Sequence, residues 1–149
     1  KNKDLTRYIT SPTPSDDHYR LFKTYVTSRH DDGQMAKMDQ CDFTSMIRNS
    51  PIETVLINYN DAESNLVGAI LCDIQSDGLS AVYSFFEPGL TTRSLGTYMV
   101  LDLLYIAKES DLNWLYLGYF VEGSRKMEYK ARFKPAEVFN DGQWQAVST

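Results

Sequence analysis

The sequence contains few of the residues that build metal centres or disulfide frameworks. Its 149 residues include only two cysteines, Cys41 and Cys72, and two histidines, His18 and His30. The cysteines lie far apart and neither belongs to a C-x-x-C pair, which argues against a disulfide framework and against a zinc site. We therefore expect no metal and no cofactor, and a reducing, cytoplasmic location.

Long hydrophobic runs are also missing. No apolar stretch approaches the roughly 20 residues that a helix needs to cross a bilayer, and the polar residues 1–4 do not resemble a signal peptide. We therefore expect no membrane partner. Hydrophobic residues make up 42% and charged residues 23% of the chain, so we expect one domain over residues 1–149. The chain starts at Lys1 rather than Met, and we expect sequence to be missing upstream.

Positive charge is scarce overall but concentrated in one segment. The net charge of −5 argues against broad, non-specific binding of nucleic acid. Residues 121–135 nevertheless hold five basic residues against two acidic ones. A basic segment on an acidic protein predicts a local anion site. The basic residues are Arg125, Lys126, Lys130, Arg132 and Lys134.

Hydrophobic periodicity and turn residues predict an α+β protein with the element order β-α-α-β-β-β-α-β-α-β-β. The short connections within residues 54–86 make three middle strands antiparallel. A helix crossover makes the next strand, at 113–120, parallel to the strand at 79–86. The predicted strands are 5–10, 54–59, 66–74, 79–86, 113–120, 137–139 and 144–147, and the predicted helices are 16–29, 39–48, 94–109 and 123–133.

This order resembles the N-acetyltransferase (GNAT) superfamily, which implies a mixed sheet flanked by helices. In that superfamily the fourth and fifth strands splay apart to admit an acyl donor, and the helix after the fourth strand cradles a pyrophosphate. The cradle here would be residues 92–97. Arg93 and Gly96 match its Gln/Arg-x-x-Gly-x-Gly/Ala pattern, whereas Tyr98 departs from it. A large side chain there would crowd a pyrophosphate at the helix N-terminus, which argues against coenzyme A as the donor.

Longer segments resemble the arginyl/leucyl-tRNA–protein transferase family, and its bacterial leucyl-transferring branch most. They are AVYSFFEP at 81–88 with RSLGT at 93–97, and YLGYFVEG at 116–123 with RKMEYK at 125–130 and FKP at 133–135. Shorter matches are SRH at 28–30 and GQM at 33–35. The resemblance covers nearly the whole chain. Since family members also carry an N-terminal cysteine-containing module, we expect this chain to be the C-terminal catalytic half.

The resemblance implies transfer of leucine, or arginine, from aminoacyl-tRNA to the N-terminal Asp or Glu of proteins. That step would mark the protein for degradation by the N-end rule pathway. The partners would be leucyl-tRNA and proteins with acidic N-termini. The ester is already activated and an α-amine has a pKa of about 8, so no covalent enzyme intermediate is required. The enzyme must align amine and carbonyl, stabilise the oxyanion and recognise the acidic side chain.

Charge recognition is assigned first to Arg125, Lys126 and Lys130. A helix would place Lys126, Lys130 and Lys134 on one face, where they would bind phosphates or a carboxylate, although a solvated face fits the same spacing. Tyrosines on the splayed strands, among them Tyr116, would line the donor pocket unless they are ordinary sheet core. The candidates for catalysis are Tyr83, Ser84, Glu87 and His30, and the further candidates for substrate binding are Arg29, Arg93, Ser94, Gly96, Tyr119 and Tyr129.

Several of these candidates have simpler explanations. Arg93 also fits a surface arginine near Glu87, Gly96 fits helix packing, and His30 fits a helix cap. Ser84 has no His–Asp partners in the sequence, so we do not interpret it as a triad nucleophile.

Two other functions compete with the aminoacyl transferase. One is an acyl-CoA-dependent N-acetyltransferase on the same fold, and the other is a non-catalytic module that binds acidic N-terminal peptides. The sequence leaves open the donor, leucyl or arginyl, and the identity of a general base.

Overall fold

The computed structural model describes residues 1–30, 33–124 and 127–147, with His30 described by its backbone only. The chain falls into two compact units, Lys1–Tyr116 and Leu117–Thr149. The expectation of one domain over residues 1–149 stays a prediction.

The first unit is built on a five-stranded sheet with the order β1-β2-β3-β4-β5. Neighbouring strands from β1 to β4 are antiparallel, whereas β5 is parallel to β4. The antiparallel meander and the parallel fifth strand are therefore as predicted. The strands are β1 (Thr6–Thr10), β2 (Thr54–Asn60), β3 (Leu66–Ile74), β4 (Gly78–Phe86) and β5 (Trp114–Tyr116).

Helices cover the sheet through two separate apolar clusters. The helices α1 (Asp16–His30) and α2 (Gln40–Arg48) pack Phe22 and Phe43 against Phe85 of β4. The helix α3 (Leu95–Glu109) packs Met99 and Leu103 in the other cluster. Alternate residues of β2 and β3 belong to alternate clusters, as expected for a sheet buried on both faces. This confirms the predicted mixed sheet flanked by helices.

Two polar networks, one buried and one partly buried, tie these elements together. The N–H of Ser15 donates to Nδ1 of His18 at 3.0 Å, and Nε2 of His18 lies 2.6 Å from Oδ1 of the buried Asn58. On the other side of the sheet, Asp102 accepts hydrogen bonds from Tyr59 and Arg7, both at 2.8 Å. Both networks satisfy polar groups that burial would otherwise leave unpaired.

A β-bulge in β4 changes which side chains face which cluster. Leu71 of β3 pairs with Tyr83, but the next residue, Cys72, pairs with Ala81, so Val82 is an extra residue. Ala81 consequently packs with the α3 cluster, whereas Tyr83 packs with the α1–α2 cluster. The bulge turns Tyr83 towards α1.

The fifth strand is much shorter than the predicted strand at 113–120. It pairs with β4 at three positions only, from Gly78↔Trp114 to Ser80↔Tyr116. At the first of these the backbones approach closely, because a Cβ on Gly78 would lie 2.5 Å from the carbonyl oxygen of Trp114. The prediction of strand for residues 117–120 is wrong.

The second unit contains a 3₁₀ helix, Glu128–Arg132, and a hairpin of β6 (Glu137–Asn140) and β7 (Gln143–Ala146). Both strands of this hairpin were predicted, and Asp141 and Gly142 form its turn with positive φ angles. The α-helix predicted at 123–133 is wrong for the described residues of that range, where 128–132 form the 3₁₀ helix. The N–H groups of Met127 and Lys130 donate to carbonyls three residues earlier, a 3₁₀ pattern.

In the described part of the chain, no helix combines the length and the apolar character that a membrane crossing requires.

Candidate functional site

The edge of β4 beyond the third β4–β5 pair is the centre of the candidate site. From Ala81 to Phe86, β4 has no strand partner on the β5 side among the described residues. Backbone N–H groups on an unpaired edge are available to a ligand. The sequence predicted that these strands part, and the register shows that their pairing ends at Ser80 and Tyr116. Residues 117–120 belong to the other unit, so a cleft between the strands stays a prediction.

Tyr83 lies on this segment of β4 with its hydroxyl buried. Among the described residues the hydroxyl has no hydrogen-bond partner. Burial, with a smaller contribution from Tyr25, raises the pKa of Tyr83 to about 12. The phenol therefore keeps its proton at neutral pH, and it can donate a hydrogen bond but cannot act as a base.

Two other catalytic candidates lie in the same part of the chain: Ser84 is on the free segment of β4, and Glu87 directly follows the strand. Ser84 is half-buried and pairs with Ile70 of β3. The carboxylate of Glu87 accepts a hydrogen bond from the N–H of Gly89 at 3.0 Å. Glu87 is thus held in the turn that follows β4, and its role as a base stays a prediction. The fourth catalytic candidate, His30, lies outside the described side chains.

Arg29, near the end of α1, lies over two aromatic rings. Its guanidinium carbon is 5.1 Å from the ring centre of Phe86 and 5.6 Å from that of Tyr25. These rings contact each other, with centres 4.9 Å apart. Cation–π attraction therefore holds the guanidinium at the end of β4. Tyr25 was not among the predicted site residues, although its spacing of four from Arg29 on a helix would have placed the two side by side.

Gly96 is explained by packing against the same phenylalanine. A Cβ at Gly96 would lie 3.1 Å from Cε1 of Phe86, so a larger residue would displace the ring. Of the two explanations open from the sequence, the structure favours helix packing. Phe86 thus lies between α3, through Gly96, and α1, through Tyr25 and Arg29.

Arg93 is engaged within the first unit. Its guanidinium forms an ion pair with Asp4 and donates to Oδ1 of Asn2 at 3.0 Å, and the hydrogen bond to Asp4 raises its pKa. The sequence placed it near Glu87 or a phosphate, but its partners here are N-terminal residues. A phosphate role would require Arg93 to exchange Asp4 for the ligand, and it stays a prediction.

The start of α3 lacks a side-chain cap. Ser94 occupies the N-cap position with a left-handed φ of 53° and makes no capping hydrogen bond through its side chain. Tyr98, expected to crowd a pyrophosphate here, packs its ring 5.8 Å from that of Tyr59. Its side chain is therefore used in packing against the sheet, which weakens the steric argument against coenzyme A.

The basic segment of the second unit is only partly described. Arg125 and Lys126 lie outside the described residues. The ammonium of Lys130 donates to the carbonyl oxygen of Tyr119 at 2.6 Å, and burial lowers its pKa. Tyr119 is 89% exposed, and Tyr129 packs edge-on against Phe133 with ring centres 6.4 Å apart. Because Glu128–Arg132 is a 3₁₀ helix, the described residues of this segment do not have the α-helical spacing that would align Lys130 with Lys134.

Among the described residues, no three His, Cys, Asp or Glu side chains come together as a metal site. The expectations of no metal and no cofactor stay predictions.

Comparison with known protein families identifies the family of this chain. A sequence model described as arginine-tRNA-protein transferase, C terminus, matches residues 17–140. The chain belongs to this family. The match includes both ends of the unpaired β4 segment, together with Arg29 and the basic segment of the second unit.

Relatives with curated names agree with the family. The chain is 48% identical to an aspartate/glutamate leucyltransferase of Ruegeria pomeroyi, and the alignment covers 99% of this chain and 55% of that protein. It is also 48% identical to a protein of the same name from Cereibacter sphaeroides, over 99% of this chain and 54% of that protein. The chain thus spans about half the length of these relatives.

Acetyltransferases are among the solved structures similar to this one. One is an aminoglycoside acetyltransferase from an uncultured soil metagenomic sample, with a TM-score of 0.61, 11% identity, and coverage of 91% of this chain and 95% of that one. Another is a GNAT family acetyltransferase from Elizabethkingia anophelis, with a TM-score of 0.57, 10% identity, and coverage of 97% and 94%. At such low identity the likeness shows the GNAT fold alone.

Proposed function

We propose that this family member provides the catalytic centre of an aminoacyl-tRNA–protein transferase that moves leucine from leucyl-tRNA to the N-terminal Asp or Glu of a protein. The observation that carries the proposal is the β5-side edge of β4, which from Ala81 to Phe86 has no strand partner among the described residues, in a chain of this family. The curated relatives named leucyltransferases support leucine over arginine as the transferred group.

The reaction needs positioning more than covalent chemistry. The α-amine of the acceptor attacks the ester carbonyl of leucyl-tRNA, the new C–N bond forms, and the bond to the ribose oxygen breaks. The proton lost by the amine ends on that ribose oxygen. Backbone N–H groups at the free edge of β4 would donate to the oxyanion, because they are fixed and need no reorganisation.

Tyr83 would act as a hydrogen-bond donor beside that edge. Its hydroxyl has no partner among the described residues, and its pKa of about 12 keeps the proton in place. A neutral donor of this kind suits either the oxyanion or the leaving ribose oxygen. Ser84 and Glu87 are the remaining candidates on the same chain segment, with Glu87 the candidate base.

The nucleic-acid partner would be bound through a few phosphates. The segment that contains Arg125, Lys126 and Lys130 would supply the cations for this contact. The net charge of −5 disfavours broad, non-specific binding of nucleic acid, so we expect the contact to be local. Modification of acidic N-termini by leucine would mark these proteins for degradation by the N-end rule pathway in the cytoplasm.

The test is a transfer assay with purified chain and peptides that begin with Asp or with Asn. We expect labelled leucine to pass from leucyl-tRNA to the Asp peptide, with less transfer from arginyl-tRNA and no acetylation from acetyl-CoA. Tyr83→Phe should lower kcat, whereas Tyr105→Phe, at a tyrosine that is 55% exposed on α3, should leave it unchanged. Acetylation of the peptide from acetyl-CoA without leucine transfer would establish the competing acetyltransferase instead. Peptide binding without any transfer would indicate a binding module.

A further inference from the structure

Arg29 differs from the other basic residues of α1. Arg20 forms an ion pair with Asp17 at 2.7 Å, and Lys23 donates to the carbonyl oxygen of Ala36 at 2.6 Å. Arg29 has neither kind of partner among the residues that the structure describes, and its contacts are the rings of Tyr25 and Phe86. It is a cation held in place by aromatic rings with its hydrogen-bonding capacity unused there.

This arrangement is suited to binding an anion. Contact with two rings restricts the rotamers of a long side chain, so less entropy is lost when a ligand binds. An aromatic ring does not accept hydrogen bonds from the guanidinium N–H groups as a carboxylate does, so these groups remain available to a ligand. A planar fork of donors matches the two oxygens of a carboxylate.

Arg29 lies close to the strand edge at which we propose that the reaction takes place. Phe86, the ring beneath the guanidinium, is the last residue of β4 and lies on the segment without a β5 partner. Tyr83 lies three residues earlier and packs against Phe22 of α1, with ring centres 6.1 Å apart. Arg29 therefore lies at the end of the free edge of β4, beside Phe86. Phe86 also packs with the α3 cluster, and its ring contacts Gly96 near the start of α3, the helix that the superfamily resemblance assigns to the donor phosphates. A phosphate is therefore the competing ligand for Arg29.

The number of cations favours a carboxylate over a phosphate chain. Polyanions are bound by several cations along a track. Arg93, at the start of α3, is already paired with Asp4. A single arginine at the end of β4, without an ion-pair partner among the described residues, fits one carboxylate.

We propose that Arg29 binds the side-chain carboxylate of the acceptor's N-terminal Asp or Glu and so determines the specificity for acidic N-termini. This inference rests on the proposed leucine transfer. The stacked pair of Tyr25 and Phe86 positions the guanidinium, and the carboxylate contact places the α-amine near the edge of β4.

The first experiment compares Arg29→Gln with Arg20→Gln, which removes an exposed arginine from the same helix. We expect Arg29→Gln to lower kcat/KM for a peptide with N-terminal Asp by about 10- to 100-fold, the effect of losing a charge-assisted hydrogen bond. The rate with the matched Asn peptide should not change, and Arg20→Gln should behave as the wild-type chain with both peptides. A purely structural role of Arg29 would lower both rates together, and an unchanged Asp-to-Asn preference in Arg29→Gln would overturn the inference.

The second experiment separates this inference from the proposed function, because it needs no transfer. The side-chain Nε–H resonance of Arg29 is followed by NMR in the wild-type chain during titration with three ligands: an Asp peptide, an Asn peptide and the trinucleotide CCA. We expect the Asp peptide alone to shift the resonance. A shift with CCA but not with the Asp peptide would assign Arg29 to phosphate binding and overturn the inference, as would no shift with any ligand. If the wild-type chain binds the Asp peptide through Arg29 but transfers no leucine, the proposed function fails and the carboxylate site stands.

Discussion

Replacing Gly78 with Ala tests the short contact between β4 and β5 that leaves the rest of β4 free. An added Cβ would lie 2.5 Å from the carbonyl oxygen and 2.9 Å from the Cβ of Trp114. Ordinary contacts begin at about 3.4 Å, so the backbone of β5 must retreat by roughly 0.9 Å from the position that it holds beside Gly78. The oxygen is part of the main chain, and no side-chain rotation can relieve the clash.

The cost follows from the length of the pairing. With only three paired positions, a retreat of that size at Gly78 would lengthen one or two hydrogen bonds of the parallel ladder. Each is worth about 1 kcal/mol, and forced overpacking costs about 1–3 kcal/mol. We therefore expect Gly78→Ala to lower the free energy of unfolding by about 1–3 kcal/mol.

The assay is urea denaturation followed by circular dichroism, together with hydrogen exchange of the β5 amides. Gly89→Ala is the matched control, because its added Cβ would meet only the flexible carboxylate of Glu87, at 3.2 Å. We expect the control to differ from wild type by less than about 0.5 kcal/mol. If Gly78→Ala matches the control in stability and in β5 exchange, the close approach of these strands does not exist and the register given for β4 and β5 is wrong.

Two further predictions concern buried polar groups. Asp102→Ala should lower the free energy of unfolding by about 2–4 kcal/mol, because the hydroxyl of Tyr59, 1% exposed, would lose its acceptor. Asp17→Ala, which breaks the exposed pair with Arg20, should cost less than about 0.5 kcal/mol in the same urea titration, and equal losses in the two variants would contradict the Asp102 network. Tyr83→Phe should leave stability unchanged or raise it by about 1 kcal/mol, since it removes a buried hydroxyl without a partner in the described residues. The pKa of Tyr83 is raised from 10.0 to about 12, so the wild-type chain should lose stability as the pH rises from 10 to 12, with this contribution constant below pH 10. A wild-type pH profile that Tyr83→Phe does not flatten would show that the hydroxyl ionises normally.

The order and type of the main elements could be predicted from the sequence because each has a local signal. The β-branched and apolar runs of β2 and β3 and the Ser76-Asp77-Gly78 connection specify an antiparallel meander. Asp39 caps α2 as a side-chain acceptor for the N–H of Asp42. These signals act over a few residues, so no tertiary information was needed.

The two predictions that were wrong concern segments whose structure depends on longer-range or weaker effects. Residues 117–120 continue the aromatic pattern of β5, but Gly118 adopts a positive φ of 74°, which an extended strand does not use. The helix expected at 123–133 starts at Gly123, also with positive φ, and ends before Pro135, which leaves too short a stretch for an α-helix without tertiary support.

The sequence predicted where the candidate site lies better than it predicted the contacts of the side chains there. The end of the β4–β5 pairing and the position of Tyr83 on β4 agree with the sequence analysis, whereas nothing in the sequence placed Arg29 beside Phe86. The bulge at Val82 depends on the partner strand, so alternation within β4 could not reveal that Ala81 and Tyr83 face opposite clusters. The pairing of Arg93 with Asp4 joins residues 89 positions apart, which no local pattern encodes.

The central claim is that the free edge of β4 receives the esterified amino acid, and backbone amide chemical shifts test it directly. A stable mimic of the leucyl-tRNA end, 3′-leucylamido-adenosine, is titrated into the labelled chain. The account predicts shifts concentrated at the amides of residues 81–87. Saturable shifts confined to another surface, such as the groove between Leu104 at the end of α3 and Trp114, with the β4 amides unmoved, would contradict it.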